Sequence, residues 1–141
     1  MNCPICRTGM VVVEYNEVEL DHCMECGGVW FDRDELSHLL SGVNLRVEDL
    51  HMKAAPRAEL AARNERPRRC PLCRRKMKKL AVGESDAVVV DRCDRHGGYW
   101  FDGGELPSVV RKSFPNGEWK NVVDFISTLF PGGGKHKEEN Q

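Results

Sequence analysis

Eight side chains in this sequence have the types and spacing of metal ligands: seven cysteines, which make three C-x-x-C pairs and half of a fourth, and a histidine that completes the fourth as C-x-x-H. Cys3, Cys6, Cys23 and Cys26 form one set, with 16 residues between its pairs. Cys70, Cys73, Cys93 and His96 form the other, with 19 between. A C-x-x-C turn lets two sulfurs reach one ion from a tight loop, and two such turns joined by a hairpin complete the tetrahedron of structural zinc. Two structural zinc ions per chain are expected. Imidazole is an ordinary zinc ligand, so His96 is expected as the eighth donor and not as the mark of a lost site. An odd cysteine count does not suit a disulfide framework, and thiolates persist best in a reducing compartment, which points to the cytoplasm.

Other chemistry fits less well. A thioredoxin-type redox pair needs an α/β context that is absent here. A rubredoxin-like electron-transfer site also uses two C-x-x-C turns, but imidazole in the second set argues against paired identical iron sites. Four protein ligands per ion leave no open position, so no catalytic residue is assigned and no small-molecule substrate is expected. Asp32 with Glu35, and Asp102 with Glu105, have the spacing of helix-capping boxes, a simpler reading than paired catalytic carboxylates. His22, His38, His51 and His136 are read as packing or solvated residues.

The two ligand sets belong to two copies of one unit. "CPICRTGMVVVEYNEVELDHCMECGGVWFDRDEL" spans 3–36, and "CPLCRRKMKKLAVGESDAVVVDRCDRHGGYWFDGGEL" spans 70–106. In each, two alternating stretches predict a hairpin, with turns at Asn16 and at 83–86. "VWF" and "YWF" predict a short third strand. A double glycine after the second pair predicts a sharp turn close to the sulfurs. Leu36, Leu39 and Leu40 give the following helix an apolar face, with Gly42 as its stop. Pro107 makes the second helix short or irregular. A unit of this size cannot bury enough apolar surface to fold alone, so metal binding and folding should be one event.

The expected architecture is a small zinc-stabilised α+β chain. Two tandem three-stranded β zinc ribbons, each followed by a helix, are joined by a helical linker and trailed by a C-terminal amphipathic helix. The boundaries are 1–42 for the first ribbon with its helix, 43–69 for a basic linker, 70–112 for the second ribbon, 113–131 for the C-terminal helix and 132–141 for a disordered tail. C-P-x-C, a hairpin, then C-x-x-C/H-G-G-x-W-F-D-x-x-E-L resembles the TFIIB-type zinc ribbon family in its small prokaryotic form. That resemblance implies zinc ribbons and a transcription-factor-like finger; it covers about half the chain.

The net charge of −1 hides a basic middle. Residues 1–45 carry −6, 46–79 carry +8 and 80–141 carry −3. No apolar run reaches the roughly 18 residues that a membrane span needs, and the opening "MNCPICRTGM" has no apolar signal region, which argues against secretion. The candidate phosphate-contacting residues are Arg57, Arg63, Arg66, Arg68, Arg69, Arg74, Arg75, Lys76, Lys78 and Lys79. A solvated face that offsets acidic neighbours explains the same run equally well. Trp30, Phe31, Trp100 and Phe101 are either docking anchors or core, with core favoured because so small a unit has few other core residues. Trp119, Val122, Val123, Ile126, Leu129 and Phe130 lie near one face of the C-terminal helix and make a better docking element. Its polar face, with Glu118, Lys120 and Asp124, lacks the basic stripe of a membrane-surface helix. The expected function is a non-catalytic adaptor, with a protein partner favoured over nucleic acid.

Overall fold

A computed structural model of the chain describes residues 1–15, 17–42, 44–83, 87–103, 105 and 109. The strands are β1 (Val11–Tyr15), β2 (Val18–His22), β3 (Val29–Phe31), β4 (Lys53–Ala54), β5 (Lys78–Val82), β6 (Val88–Arg92) and β7 (Tyr99–Phe101). The described residues include two α-helices, α1 (Arg33–Ser41) and α2 (Arg57–Ala62), and a 3-10 turn at Val47–Leu50. Each copy builds the expected hairpin: Val13 faces Leu20 in the first, and Leu80 faces Val90 in the second.

The two copies join into one antiparallel sheet of seven strands, ordered β1-β2-β3-β7-β6-β5-β4. At its centre β3 pairs with β7: Val29 faces Phe101, Trp30 faces Trp100, and Phe31 faces Tyr99. Trp30 and Trp100 hold equivalent positions in the two copies, so this register places a pseudo-two-fold axis at the tryptophan pair. The physical reason is edge coverage. A three-residue strand on the rim of a tiny sheet exposes unpaired backbone groups, and pairing with its twin satisfies them.

Alternation along β3 and β7 then sorts the core to two faces. On one, Val29, Phe31, Tyr99 and Phe101 pack with Leu36, Leu39 and Leu40 of α1, and the Phe31 and Phe101 rings meet edge to face at 5.7 Å. On the other, Trp30 and Trp100 pack with Cys3, Cys23, Cys70, Cys93 and Met77. Both tryptophans are fully buried, so they are core as expected, but part of what buries each is the opposite copy.

Between the copies the chain is α-helical at α2, directly after Pro56 as expected, but not elsewhere among the described residues. Leu45 and Leu50 are buried in the α1-side core, with Val47 and Met52 packed against it. Lys53–Ala54 forms β4 and pairs with β5, Lys53 opposite Ala81 and Ala54 opposite Leu80. A two-residue strand is too short to show alternation, which is why the sequence pattern hid it. Gly42 is the C-cap of α1, as expected, but not in the left-handed form: its φ is −62°, and Asn44 takes the left-handed turn at +62°. The Leu45 N–H then bonds back to the Leu40 carbonyl at 2.9 Å. Asn16, the 84–86 part of the second turn, most of the helix expected after the second ribbon, the helix over 113–131 with its six docking residues, and the tail all lie outside the described residues. No helix among the described residues is long and apolar enough to cross a membrane.

Candidate metal centres

The four ligand turns share one backbone design. In each, the N–H of the residue four positions after the first ligand bonds back to that ligand's carbonyl: Arg7 to Cys3 at 2.9 Å, Gly27 to Cys23 at 2.9 Å, Arg74 to Cys70 at 2.8 Å and Gly97 to Cys93 at 2.7 Å. Those four residues all have positive φ, at 63°, 79°, 63° and 75°. Backbone N–H groups also point at sulfur: Ile5 and Cys6 donate to Cys3 Sγ at 3.3 Å, Leu72 donates to Cys70 Sγ at 3.3 Å, and His96 donates to Cys93 Sγ at 3.4 Å. Such donors stabilise the thiolate form that binds metal.

The sulfurs of Cys3, Cys6, Cys23 and Cys26 all lie within 4.8 Å of one another, as do those of Cys70, Cys73 and Cys93. Cys3 to Cys26 and Cys73 to Cys93 are each 3.7 Å. A tetrahedron with Zn–S bonds of about 2.3 Å has edges of about 3.8 Å, whereas a disulfide needs about 2.05 Å. The donor sets therefore fit two structural zinc ions. The second group takes in three cysteines and not the His96 ring nitrogens, although the His96 backbone occupies a ligand turn like the other three. Without metal, the Cys26 thiol hydrogen-bonded to Cys3 is the main cause that lowers Cys3 to about 5, against a burial penalty, and the same contact pushes Cys26 up. Burial pushes Cys70 up to about 12. Zinc must displace these protons, so its affinity rises with pH.

A family model described as "Transcription factor zinc-finger", a TFIIB-type zinc ribbon, matches residues 2–42 and 69–112, more than half of the chain. The chain belongs to this TFIIB-type zinc ribbon family. No curated protein and no solved structure is similar enough to count as a match.

The residues that mark this zinc ribbon family after the second ligand pair form one network in each copy. The Trp30 indole donates to Asp32 Oδ1 at 2.9 Å, and the Asp32 N–H donates to Glu35 Oε1 at 2.9 Å. The Trp100 indole donates to Asp102 at 2.7 Å, and the Asp102 N–H to Glu105 at 2.8 Å. Asp32 thus stands at the expected N-cap in a capping box with Glu35, and its carboxylate also accepts from the tryptophan. The double glycines are explained in two parts. Gly27 and Gly97 supply the positive φ, while Gly28 and Gly98 make room for the opposite copy. A Cβ on Gly28 would sit 2.2 Å from the Trp100 ring, and one on Gly98 would sit 2.3 Å from the Trp30 ring. The ribbons also touch through Arg33, which lies over Gly97, and Gly103, which packs on the Cys26 carbonyl.

Burial pushes the Glu35 carboxyl up to about 7 and that of Glu105 up to about 9, each from an ordinary 4.5. A raised folded-state value means that the folded chain holds this proton more tightly than the unfolded chain. The contribution of Glu105 to stability is full below about pH 4.5 and is lost as the pH climbs through about 9. With zinc saturating, the protein is expected to melt lower at about pH 10 than at about pH 7. Glu105→Gln keeps an acceptor for the Asp102 N–H and should lose most of that decline. Parallel thermal profiles for variant and parent would show that Glu105 is not its source.

The basic candidates divide sharply. Lys79 is matched inside the fold, 2.8 Å from Asp91 and 3.1 Å from Glu65. Asp91 is only 1% exposed, and its burial raises its carboxyl to about 6 against the pull of Lys79. Arg63 pairs with Glu59 at 3.1 Å, and Lys78 with Asp94 at 3.0 Å. Arg57, Arg66, Arg69, Arg74, Arg75 and Lys76 are exposed, Arg68 is half-buried, and none of these has an ion pair among the described residues. Sequence reasoning passed over Arg7, which lies on the same side as Arg69 and Arg74 (its signal was its match to Arg74 in the repeat).

Proposed function

We propose that this zinc ribbon protein is a non-catalytic adaptor whose protein-binding surface is the outer edge of β1, and that His96 supplies the fourth donor of the second zinc. The observation that carries the adaptor reading is an asymmetry between the copies. The edge of β5 is covered by β4, whereas the equivalent edge of β1 pairs with nothing among the described residues. Val11 and Val12 on β1 are 43% and 62% exposed. An open five-residue edge strand with two exposed valines is a template for an added strand. Glu14, Glu17 and Glu19 flank it within a region of net charge −6, so the occupant is an extended segment of a partner protein with apolar and basic residues. The His96 assignment is supported by its ligand turn, which matches the three cysteine turns bond for bond.

The test is capture from nuclease-treated native lysate by the full chain and by Val12→Lys, followed by cross-link mapping. The expected result is one partner, cross-linked along β1 and at least about tenfold depleted by a lysine on the edge strand. Capture that survives Val12→Lys, or whose cross-links avoid β1, would overturn the edge assignment.

A second reading, contact with nucleic acid, is favoured by the exposed cations without ion pairs between Arg57 and Lys76. Such contact would weaken steeply with salt, because each neutralised phosphate releases counterions.

A further inference from the structure

The first ligand turns of the two copies face each other across a cleft of about 400 Å³. Its walls come in equivalent pairs: Pro4 with Pro71, Arg7 with Arg74, and Asn2 with Arg69. The cleft thus lies between the copies, and neither copy forms it alone. Arg7, Arg69 and Arg74 are all exposed, and none makes an ion pair among the described residues. Among the described residues, no carboxylate lines the cleft. The Arg69 guanidinium is steadied by a 3.0 Å bond to the Arg74 carbonyl. Arg7 and Arg74 both leave a left-handed backbone at φ 63°, the same step of the same turn in each copy.

We infer that this cleft binds a phosphate group, with Arg7, Arg74 and Arg69 as its donors and the rings of Pro4 and Pro71 as its apolar walls. Guanidinium forks match phosphate oxygens in pairs, a bidentate geometry that Lys, as a point charge, does not offer. The volume falls in the range of small-ligand sites, roughly 300–1,000 Å³. The phosphate comes either from a free nucleotide or from the backbone of a single-stranded nucleic acid. The inference narrows the nucleic-acid reading to one composite site and uses Arg7, which lies outside the basic segment. Cys3 and Cys70 also line the cleft. The competing explanation is that the arginines only balance zinc-bound thiolates.

The experiment uses the zinc-loaded full chain, with fluorescence anisotropy of a labelled single-stranded oligonucleotide and competition by adenosine monophosphate. Arg7→Gln and Arg74→Gln are each expected to weaken oligonucleotide binding about tenfold and to lower its salt dependence by about one counterion. Arg57→Gln and Arg66→Gln, each an equal charge change outside the cleft, should each leave it nearly unchanged. In the unmodified protein, bound oligonucleotide should protect Arg7, Arg69 and Arg74 from phenylglyoxal, read by mass spectrometry, and this arm does not depend on how the variants fold. If the monophosphate alone binds and gives the same protection, the cleft stands and the nucleic-acid reading falls. If the oligonucleotide binds but the outside pair matters as much as the cleft pair, the cleft falls and the broader reading stands. Loss of zinc on Arg7→Gln without any phenylglyoxal protection in the parent would leave charge balance as the arginines' role and overturn the site.

Discussion

Removing zinc from either centre should unfold both copies together. Cys3 and Cys23 of the first centre and Cys70 and Cys93 of the second lie in one buried cluster with Trp30 and Trp100. A ribbon of about 40 residues has too little apolar core to stand without metal, and binding of a structural zinc contributes roughly 10 kcal/mol or more to such a fold. Cys23→Ala removes a fully buried ligand of the first centre. The expected outcome is a zinc content well below one per chain and a red shift in the emission of both buried tryptophans. A strong chelator should give one cooperative transition, not two separated steps. His96→Ala should act in the same direction if imidazole is a donor, while His96→Cys should retain two zinc ions. The parent chain is expected to be colourless; visible absorbance with bound iron would favour electron transfer. A Cys23→Ala chain that kept one zinc and native amide protection throughout β5, β6 and β7 would show that the copies fold independently.

The second large effect is steric and sits far from any ligand sulfur. Gly28→Ala places a methyl 2.2 Å and 2.4 Å from two atoms of the Trp100 ring. That ring is fully buried and pinned through its indole N–H to Asp102, so it has no room to yield. Overpacking of this kind costs about 3 kcal/mol or more. Gly98→Ala, against Trp30 and the Phe31 carbonyl, should cost a similar amount. The cause is separable by a double-mutant cycle. Trp100→Leu destabilises by opening a cavity, but it should remove most of the additional cost of Gly28→Ala, giving a coupling of about 2 kcal/mol. Denaturant midpoints of the four proteins decide it, and additive penalties would mean that Gly28 is needed for its own backbone and not for the ring.

The ligands and hairpins were legible because each rests on local rules. C-x-x-C spacing names the seven cysteines that cluster in two groups, and alternation with turn signals outlines β1, β2, β5 and β6. The seam was not legible. "VWF" and "YWF" are too short to alternate visibly, and nothing in either copy says that its third strand pairs with its twin. Gly28 and Gly98 were noticed but assigned to the turn, because the tryptophan that excludes a side chain there comes from about 70 residues away. That the turn alone does not demand glycine at this step is plain from Thr8 and Arg75, whose carbonyls accept the same bond from the Cys3 and Cys70 N–H groups. The basic run was visible as composition, but matched and unmatched charges separate only in three dimensions. Lys79 turns inward to Asp91, while Arg74 faces the cleft.

A seam in which Trp30 meets Trp100, and each Gly28-type residue meets the other copy's ring, is the arrangement of a homodimer whose protomers have been spliced into one polypeptide. In a true homodimer every substitution appears twice, so neither half can acquire a feature the other must avoid. Splicing lifts that constraint. The halves of this chain differ accordingly: one carries imidazole where the other carries a thiol, one has its outer strand capped where the other pairs with nothing among the described residues, and one has Lys79 over Asp91 where the other has Val12 over Asp21. The pseudo-symmetric sheet therefore has two unlike ends, where exact two-fold symmetry would have made them identical.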